Sequence, residues 1–154
     1  MIGVISDTHA LLRPEAIEAL QGSELILHAG DIGDIAVIET LQNIAPVCAV
    51  RGNVDTQRWA TSFPATQFIE YEGHALYMLH NIGELDIAPS AAGVSVVIYG
   101  HSHRPLIEHQ EGVTFFNPGS AGPRRSALPV SVGRLRFDAG QAVAEIVELM
   151  PGKM

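Results

Sequence analysis

The sequence predicts an α/β fold, because strands and helices alternate at its start and pairs of strands follow in its second half. Short runs rich in Val and Ile recur along the chain, and each run stops at polar or glycine residues. Helical patterns separate the first runs, which gives the order β-α-β-α-β. Strands that alternate with helices predict parallel neighbours joined by right-handed crossovers, so helices should cover at least one face of the sheet.

The first part of the chain contains five predicted strands: Ile2 to Ser6, Leu25 to Ala29, Val47 to Arg51, Ala75 to His80 and Val94 to Tyr99. Two helices are predicted between the first three strands. Pro14 suits the first turn of a helix that extends to Leu20. Asp34 suits the N-cap of a second helix, from Ile35 to Ile44, and is interpreted as a cap rather than a ligand.

The second half of the chain is expected to form hairpins. Four more strand-like segments follow, separated by short turn signals or by the long loop from Pro118 to Pro129. Without an internal repeat, a low-complexity tract or a linker, residues 1–154 are expected to form a single domain. The four segments are Leu106 to His109, Val113 to Asn117, Val130 to Phe137 and Ala142 to Leu149.

The composition excludes several classes of protein. With 154 residues, 47% hydrophobic and 17% charged, the chain is long enough to build its own core. Its net charge of -8 disfavours duplex nucleic acid as a partner. The single Cys48 excludes a disulfide framework and a cysteine-rich zinc site, and no apolar stretch reaches the roughly 20 residues of a membrane span. We find no secretory signal at the start, so a cytoplasmic protein with no membrane partner is expected.

Metal-ligating side chains follow each of the first five predicted strands. Because the carboxyl ends of parallel strands share one edge of a sheet, these side chains are expected to converge. Oxygen and imidazole donors without thiolate suit Mn, Fe, Ni, Zn or Mg, and the set is too large for one tetrahedral site. Two ions about 3.5–4 Å apart that share a carboxylate would engage more of these ligands. A pair of ions at this distance indicates phosphoester hydrolysis. The residues are Asp7, His9, Asp31, Asn53, His80, His101 and His103.

Each motif alone also has a structural interpretation. An isolated Asp-x-His after a strand more often forms a cap or a turn, and Gly-Asp and Gly-Asn pairs are common turns. Their joint position at five strand ends favours a metal site. Outside the set, His28, His74 and His109 are expected to be structural or exposed.

The order and spacing of these motifs resemble the calcineurin-like metallophosphoesterase family, in particular its short bacterial and archaeal phosphodiesterases. The likeness runs from residue 1 to about residue 122 and includes the turn at residues 117–120, Asn-Pro-Gly-Ser. It implies a two-sheet β-sandwich flanked by helices, in a four-layer αββα arrangement. It also implies two metals with Asp31 bridging: Asp7, His9, Asp31 and His103 bind one, and Asp31, Asn53, His80 and His101 bind the other.

The resemblance implies hydrolysis of a small phosphodiester by a hydroxide that bridges two divalent ions. The ions are expected to be Mn, Fe, Ni or Zn, with Mn the choice for an assay. Asp31, Asn53 and His101 are the candidate catalytic residues, and Asn53 and Arg124 are the candidates for substrate binding. Formal charge at such a site leans slightly towards diesters over monoesters. A homo-oligomer is left open.

Three residues depart from the family pattern. Val54 stands where many larger members have a His thought to assist the leaving group. Since valine cannot transfer a proton, phenolate leaving groups should depart faster than alkoxides. Asn81 and Ile82 replace the Gly-His that usually follows the ligand histidine. The connection from His80 to Val94 also looks too short for the family's helix, so we expect an open groove that accepts bulky substrates.

Two other functions stay open at this point. The retromer subunit that resembles this family uses the fold as a protein-binding scaffold, and a phosphomonoesterase would use the same metals. All of the ligand positions keep competent residue types, which favours an enzyme over a scaffold.

Overall fold

The computed structural model describes residues 1–152, which form two five-stranded mixed sheets and two short α-helices. The predicted α/β sandwich is confirmed. The helices are α1 (Pro14–Ala19) and α2 (Ile35–Leu41). The strands are β1 (Ile2–Ile5), β2 (Leu25–His28), β3 (Val47–Ala49), β4 (Thr66–Tyr71), β5 (His74–Leu79), β6 (Val94–Ile98), β7 (Leu106–Gln110), β8 (Val113–Asn117), β9 (Val130–Asp138) and β10 (Gln141–Met150). One sheet has the order β10-β9-β1-β2-β3, and the other has the order β4-β5-β6-β8-β7.

The alternating start of the chain forms the parallel part of the first sheet. β1 pairs with β2 and β2 pairs with β3, both in parallel, as predicted. Pro14 opens α1, and the side chain of Asp34 accepts the amide of Ala36 (2.9 Å) at the start of α2. α2 ends at Leu41, three residues before the predicted end at Ile44. No helix in residues 1–152 has the length and hydropathy needed to cross a lipid bilayer.

Alternate side chains of the first sheet enter two different apolar layers. Ile5 packs in the layer under the helices, together with Leu20 of the segment that ends α1 and Leu41 of α2. Val4 packs in the layer between the two sheets, where it joins Phe116 of β8. This alternation follows from the two-residue repeat of a strand, and it buries both faces of the first sheet.

The second sheet has no α-helix on its outer face within the described residues. The parallel crossover from β5 to β6 consists of residues 80–93, which contain one 3-10 turn at Ile82–Glu84. Leu85 and Ile87 of this segment pack against the apolar cluster that includes Tyr77. The short connection was expected from the sequence. It lies where the four-layer arrangement would have its second helical layer.

Hairpins join the later strands. β7–β8 and β9–β10 are antiparallel pairs, and both were predicted. Each turn consists of two residues with positive φ, a conformation typical of tight hairpins. The hairpin of β4 and β5 uses the same kind of turn, at Glu72-Gly73, but sequence analysis missed β4. Only Ile69 of β4 is buried, so the strand lacks the apolar run that identifies the others.

Candidate metal centre

The loops after four strands bring charged side chains into one cluster. Asp7 and His9 follow β1, Asp31 follows β2, His80 follows β5 and His103 follows β6. Their ligand-type atoms form two groups, and within each group the atoms lie within 4.8 Å of one another. The groups are Asp7 with His9 and His103, and Asp7 with Asp31 and His80.

Two carboxylates lie between the imidazoles of this cluster. Asp31 Oδ2 is 3.6 Å from His9 Nε2 and 3.2 Å from His80 Nε2. Asp7 Oδ1 is 3.4 Å from His103 Nε2 and 3.8 Å from His80 Nε2. His9 and His80 are the histidines that the family resemblance assigns to different metals. Asp31 contacts both, and Asp7 Oδ1, whose residue belongs to both groups, also lies 3.9 Å from His9 Nε2 and 3.8 Å from His80 Nε2.

Three atoms at the centre of the cluster are buried and have no hydrogen-bond partner among residues 1–152: Asp7 Oδ1, His9 Nε2 and His80 Nε2. A buried polar atom without a partner costs about 1–3 kcal/mol, so a folded protein rarely gathers several at one point. Imidazole and carboxylate are ligands for divalent first-row metals, which would satisfy all three atoms together. The residues present therefore fit divalent cations.

Hydrogen bonds behind the cluster fix the orientation of its side chains. His80 Nδ1 lies 2.7 Å from the carbonyl of Ala29, so this nitrogen donates and Nε2 keeps a lone pair directed to the centre. Asp7 Oδ2 accepts from the hydroxyl of Ser6 (2.7 Å) and from the backbone amide of His101 (3.1 Å). Oδ1 of Asp7 is thereby left facing the centre.

The backbone at the cluster is strained. Five of the candidate ligands have positive φ, a conformation that costs a non-glycine residue about 1–3 kcal/mol and persists only where the surroundings hold it. Such strain is concentrated at functional sites. The residues and angles are Asp7 (57°), His9 (46°), Asp31 (55°), His101 (74°) and His103 (64°).

Two glycines allow the backbone to pass close to the carboxylates. A Cβ atom added to Gly52 would collide with Oδ1 and the backbone nitrogen of Asp31. A Cβ atom added to Gly100 would lie 2.6 Å from Asp7 Oδ2. The glycines before Asn53 and His101 are therefore needed for contact with the carboxylates rather than for their own turns.

The surroundings keep the Asp31 carboxyl ionised. Burial raises its pKa, but the contact with His80, the hydrogen bond from the Val54 amide and the nearby His9 outweigh burial and lower the pKa to about 2. Burial also raises the pKa of Asp7, where His103, Ser6 and His80 outweigh it and leave the pKa below its ordinary value.

The pKa of His80 is shifted in the opposite direction from those of Asp7 and Asp31. Burial lowers its pKa, but Asp31 and Asp7 more than compensate, so the pKa of His80 lies above its usual value. A proton on this imidazole competes with a cation for Nε2. Metal affinity is therefore expected to fall as the pH falls.

His28 is a structural histidine behind the cluster, as expected from its position in β2. Its Nδ1 accepts the amide of Gly30 (3.1 Å), and its Nε2 lies 3.0 Å from the hydroxyl of Thr8. That hydroxyl donates to the carbonyl of Ile32 (2.8 Å), so Nε2 carries the hydrogen of a neutral ring. Complete burial lowers the pKa of His28 to about 4.

Asn53 and His101 lie at the exposed edge of the cluster. The His101 ring meets the His80 ring edge-on, with centroids 5.3 Å apart, but its nitrogens belong to neither group of close ligand atoms. Asn53 lines a groove beside His80. Both side chains are exposed, in contrast to the buried carboxylates.

The groove beside His80 has a volume of about 220 Å³. The short segment after β5 forms one side of it, and the start of β4 forms another. Arg51 and Glu84 give it one charge of each sign. Its lining residues are Arg51, Gly52, Asn53, Ala65, Thr66, Leu79, His80, Asn81 and Glu84.

The structure does not bring Arg124 to this groove. Its guanidinium donates to the carbonyl of Leu128 (3.1 Å) within its own loop, and Arg124 is not among the residues that line the groove. The arginine that lines the groove is Arg51, whose guanidinium donates to the carbonyl of Phe63. Sequence analysis selected Arg124 rather than Arg51; the position of Arg51 directly before Gly52-Asn53 was the available signal.

Sequence analysis also missed Asp55. Its side chain is buried and accepts backbone amides from both the Asp31 loop and the Asn53 loop. The only signal in the sequence is that it follows the Gly-Asn pair closely, which does not distinguish it from a solvated loop residue.

These features define a class: an α/β sandwich with an Asp and His metal centre at the carboxyl ends of its strands. Residues 1–140 match the model of the calcineurin-like phosphoesterase superfamily domain. The chain therefore belongs to the calcineurin-like phosphoesterase superfamily.

The chain is similar to proteins from several organisms in sequence or in structure. A probable metallophosphoesterase from Methanothermobacter thermautotrophicus is 36% identical, and the match covers 96% of this chain and 91% of that protein. The solved structure of an archaeal phosphodiesterase is similar with a TM-score of 0.78 and 26% identity, over 95% of this chain and 99% of that one. Vps29 from Chaetomium thermophilum has a TM-score of 0.73 and 24% identity, over 99% and 98%, and shares the fold.

Proposed function

We propose that this protein is a metal-dependent hydrolase of phosphodiesters. The observation that carries the proposal is the convergence of Asp7 and Asp31 with three histidines, among them buried atoms that lack hydrogen-bond partners. The family of the chain and the phosphodiesterase activity named for one structural relative support phosphodiesters as the substrate class.

Two divalent ions would share Asp31. By the family resemblance, Asp7, His9 and His103 would complete one site, and Asn53, His80 and His101 the other. Close ligand atoms support Asp7 with His9 and His103 at one site and Asp31 with His80 at the other. Bound there, the ions would supply Lewis acidity towards the phosphoryl oxygens and lower the pKa of the attacking water.

The protein's own part is to hold charge in place before the substrate arrives. The Val54 amide fixes Asp31, and the Ser6 hydroxyl and the His101 amide fix Asp7, so neither carboxylate must reorganise during the reaction. The side chains of Asn53 and Arg51 lie at the groove, where they would donate hydrogen bonds to an ester bound next to the cluster.

The side chain of Val54 is 48% exposed beside Asn53 and has no proton to give. A substrate whose leaving group departs as a phenolate therefore suits this site better than an alkyl ester does. The open groove beside His80 gives a bulky ester group space to bind.

The test is hydrolysis of bis-p-nitrophenyl phosphate with Mn²⁺ by the wild-type chain and by Asp31→Ala. We expect metal-dependent turnover that Asp31→Ala abolishes. Asp34→Ala removes the N-cap of α2, three residues from Asp31, and should keep the metal-dependent turnover. A faster rate on p-nitrophenyl phosphate would favour a monoesterase. A fully metallated chain without turnover on either ester would favour a protein-binding scaffold.

A further inference from the structure

A buried carboxylate, Asp55, connects the loops that follow β2 and β3. Asp55 is only 4% exposed. Oδ2 accepts the backbone amides of Ile32 (3.0 Å) and Gly52 (2.8 Å), and Oδ1 accepts the amide of Gly33 (3.0 Å). Two of these amides directly follow Asp31 in the chain, and the third directly precedes Asn53.

A reciprocal bond completes the connection. Asp31 Oδ1 accepts the amide of Val54 (3.1 Å), so each loop offers a carboxylate to the backbone of the other. The absence of a side chain on Gly52 lets the two loops meet at this distance. Three hydrogen bonds to carboxylate oxygens thus join the two loops, and a fourth, from the Gly52 amide to Asp55, lies within the loop after β3. Bonds of this kind are stronger than bonds between neutral groups.

The connection holds two of the second metal's proposed ligands, Asp31 and Asn53, but only one of the first metal's, the shared Asp31. Among the described residues, Asp55 accepts no hydrogen bond from Asp7, His9 or His103. Asp7 is held instead by Ser6 and by the amide of His101. A change at Asp55 should therefore act unequally on the two groups of ligands.

We infer that Asp55 is a positioning residue for the second metal, the one whose ligands include Asp31 and Asn53. The inference rests on the two-metal assignment of the proposed function, but it requires no turnover. Asp55 holds the two loops together through hydrogen bonds of the protein itself, which do not involve an ion. Binding the second ion then needs little reorganisation of the backbone.

The experiment is a titration of the metal-free chain of residues 1–154 with Mn²⁺, in which electron paramagnetic resonance monitors binding. The wild-type chain should bind two ions and show the signal of a spin-coupled pair. Asp55→Asn replaces an acceptor oxygen with an amide that faces backbone donors. We expect the affinity for the second ion to fall by about 10–100-fold, the usual cost of removing a partner of a metal ligand, and the affinity for the first ion, which shares Asp31, to fall by less.

Two further variants separate positioning from general stability. Asp34→Ala removes a side-chain bond to a backbone amide near the Asp31 loop but leaves Asp55 untouched, so it should keep the affinity for the second ion. Asp55→Glu keeps the carboxylate and should recover part of that affinity. If Asp55→Asn binds both ions as the wild type does, or loses both equally, the inference is overturned.

Amide hydrogen exchange of the wild-type, metal-free chain tests the same idea if Asp55→Asn fails to fold. The amides of Ile32, Gly33 and Gly52 should be protected; exchange as fast as in an unfolded peptide would overturn the inference. A chain that shows these effects but hydrolyses no diester would contradict the proposed function and leave the role of Asp55 in place.

Discussion

Three ligand residues at the metal centre, His80, Asp7 and Asp31, are each oriented by a hydrogen bond to an atom that faces away from the centre. His80 keeps Nε2 free because Nδ1 is bound to the carbonyl of Ala29. Asp7 and Asp31 each use one carboxylate oxygen for the protein and direct the other to the centre. The ligand residues alone therefore do not define this site, because its geometry also depends on the groups that hydrogen-bond to them.

Gly52 gives a direct test of this packing. Gly52→Ala places a Cβ atom against Asp31, so we expect Mn²⁺-dependent hydrolysis to fall at least about tenfold. Gly140→Ala is the control, because it lies in the β9–β10 turn with positive φ and open space around it. That variant should lose some thermal stability and keep its activity. Equal activity in the two variants would show that the contact with Asp31 is unimportant.

His28 makes the metal-free protein sensitive to acid. Its pKa is about 4 in the folded chain and 6.5 ordinarily, so between these values the unfolded chain binds more protons and stability falls as the pH falls. The largest loss is about 3 kcal/mol. Asp31, with a pKa of about 2, titrates mainly below this window.

Urea unfolding of the metal-free chain at several pH values measures this effect. His28→Asn should be less stable at neutral pH and should lose less stability between pH 6.5 and 4. The exposed His109, on β7, provides the control, since His109→Asn should keep the wild-type slope. A wild-type stability that is constant across this window would refute the role given to His28.

At the scale of elements, the connection from β5 to β6 shapes the groove beside His80. A segment with one 3-10 turn makes the crossover, and the groove beside His80 opens along it. The short connection from His80 to Val94 allowed this to be predicted, since it leaves little room for a long helix. The hairpin turns and the cap at Asp34 were equally accessible, because local chemistry decides them.

Thr66→Trp tests the groove. Thr66 lies exposed at the start of β4 and lines the groove, so a Trp side chain there would occupy the space for a bulky ester group. We expect KM for bis-p-nitrophenyl phosphate to rise about tenfold, or about 1.4 kcal/mol, with Mn²⁺ affinity unchanged. Glu70→Trp, on the same face of the same strand but outside the groove, should have a normal KM. A normal KM in Thr66→Trp would place the substrate elsewhere.

Other elements could not be predicted from local patterns. β4 buries only Ile69, so its place in the sheet depends on pairing with β5 rather than on its own periodicity. Asp55 looks like any acidic loop residue until the loops after β2 and β3 come together. Arg124 was preferred for its place in the sequence, but the hydrogen bond to Leu128 depends on how its loop closes.

The metal centre belongs to the molecule as a whole, because its ligands come from both sheets. Asp7 and Asp31 follow strands of one sheet, and His80 and His103 follow strands of the other. Correct packing of the two sheets is therefore required before the site exists, and bound metal should stabilise that packing. The chain carries a net charge of -8, so divalent ions would also give an anionic ester a local region of positive potential.

The most direct test of this account is anomalous X-ray scattering from crystals of the chain loaded with Mn²⁺. We predict two peaks about 3.5–4 Å apart, with Asp31 between them. One peak should lie beside His9 and His103, and the other beside His80 and Asn53. A single peak, or two peaks that Asp31 does not connect, would contradict the central claim that these loops build a two-metal centre.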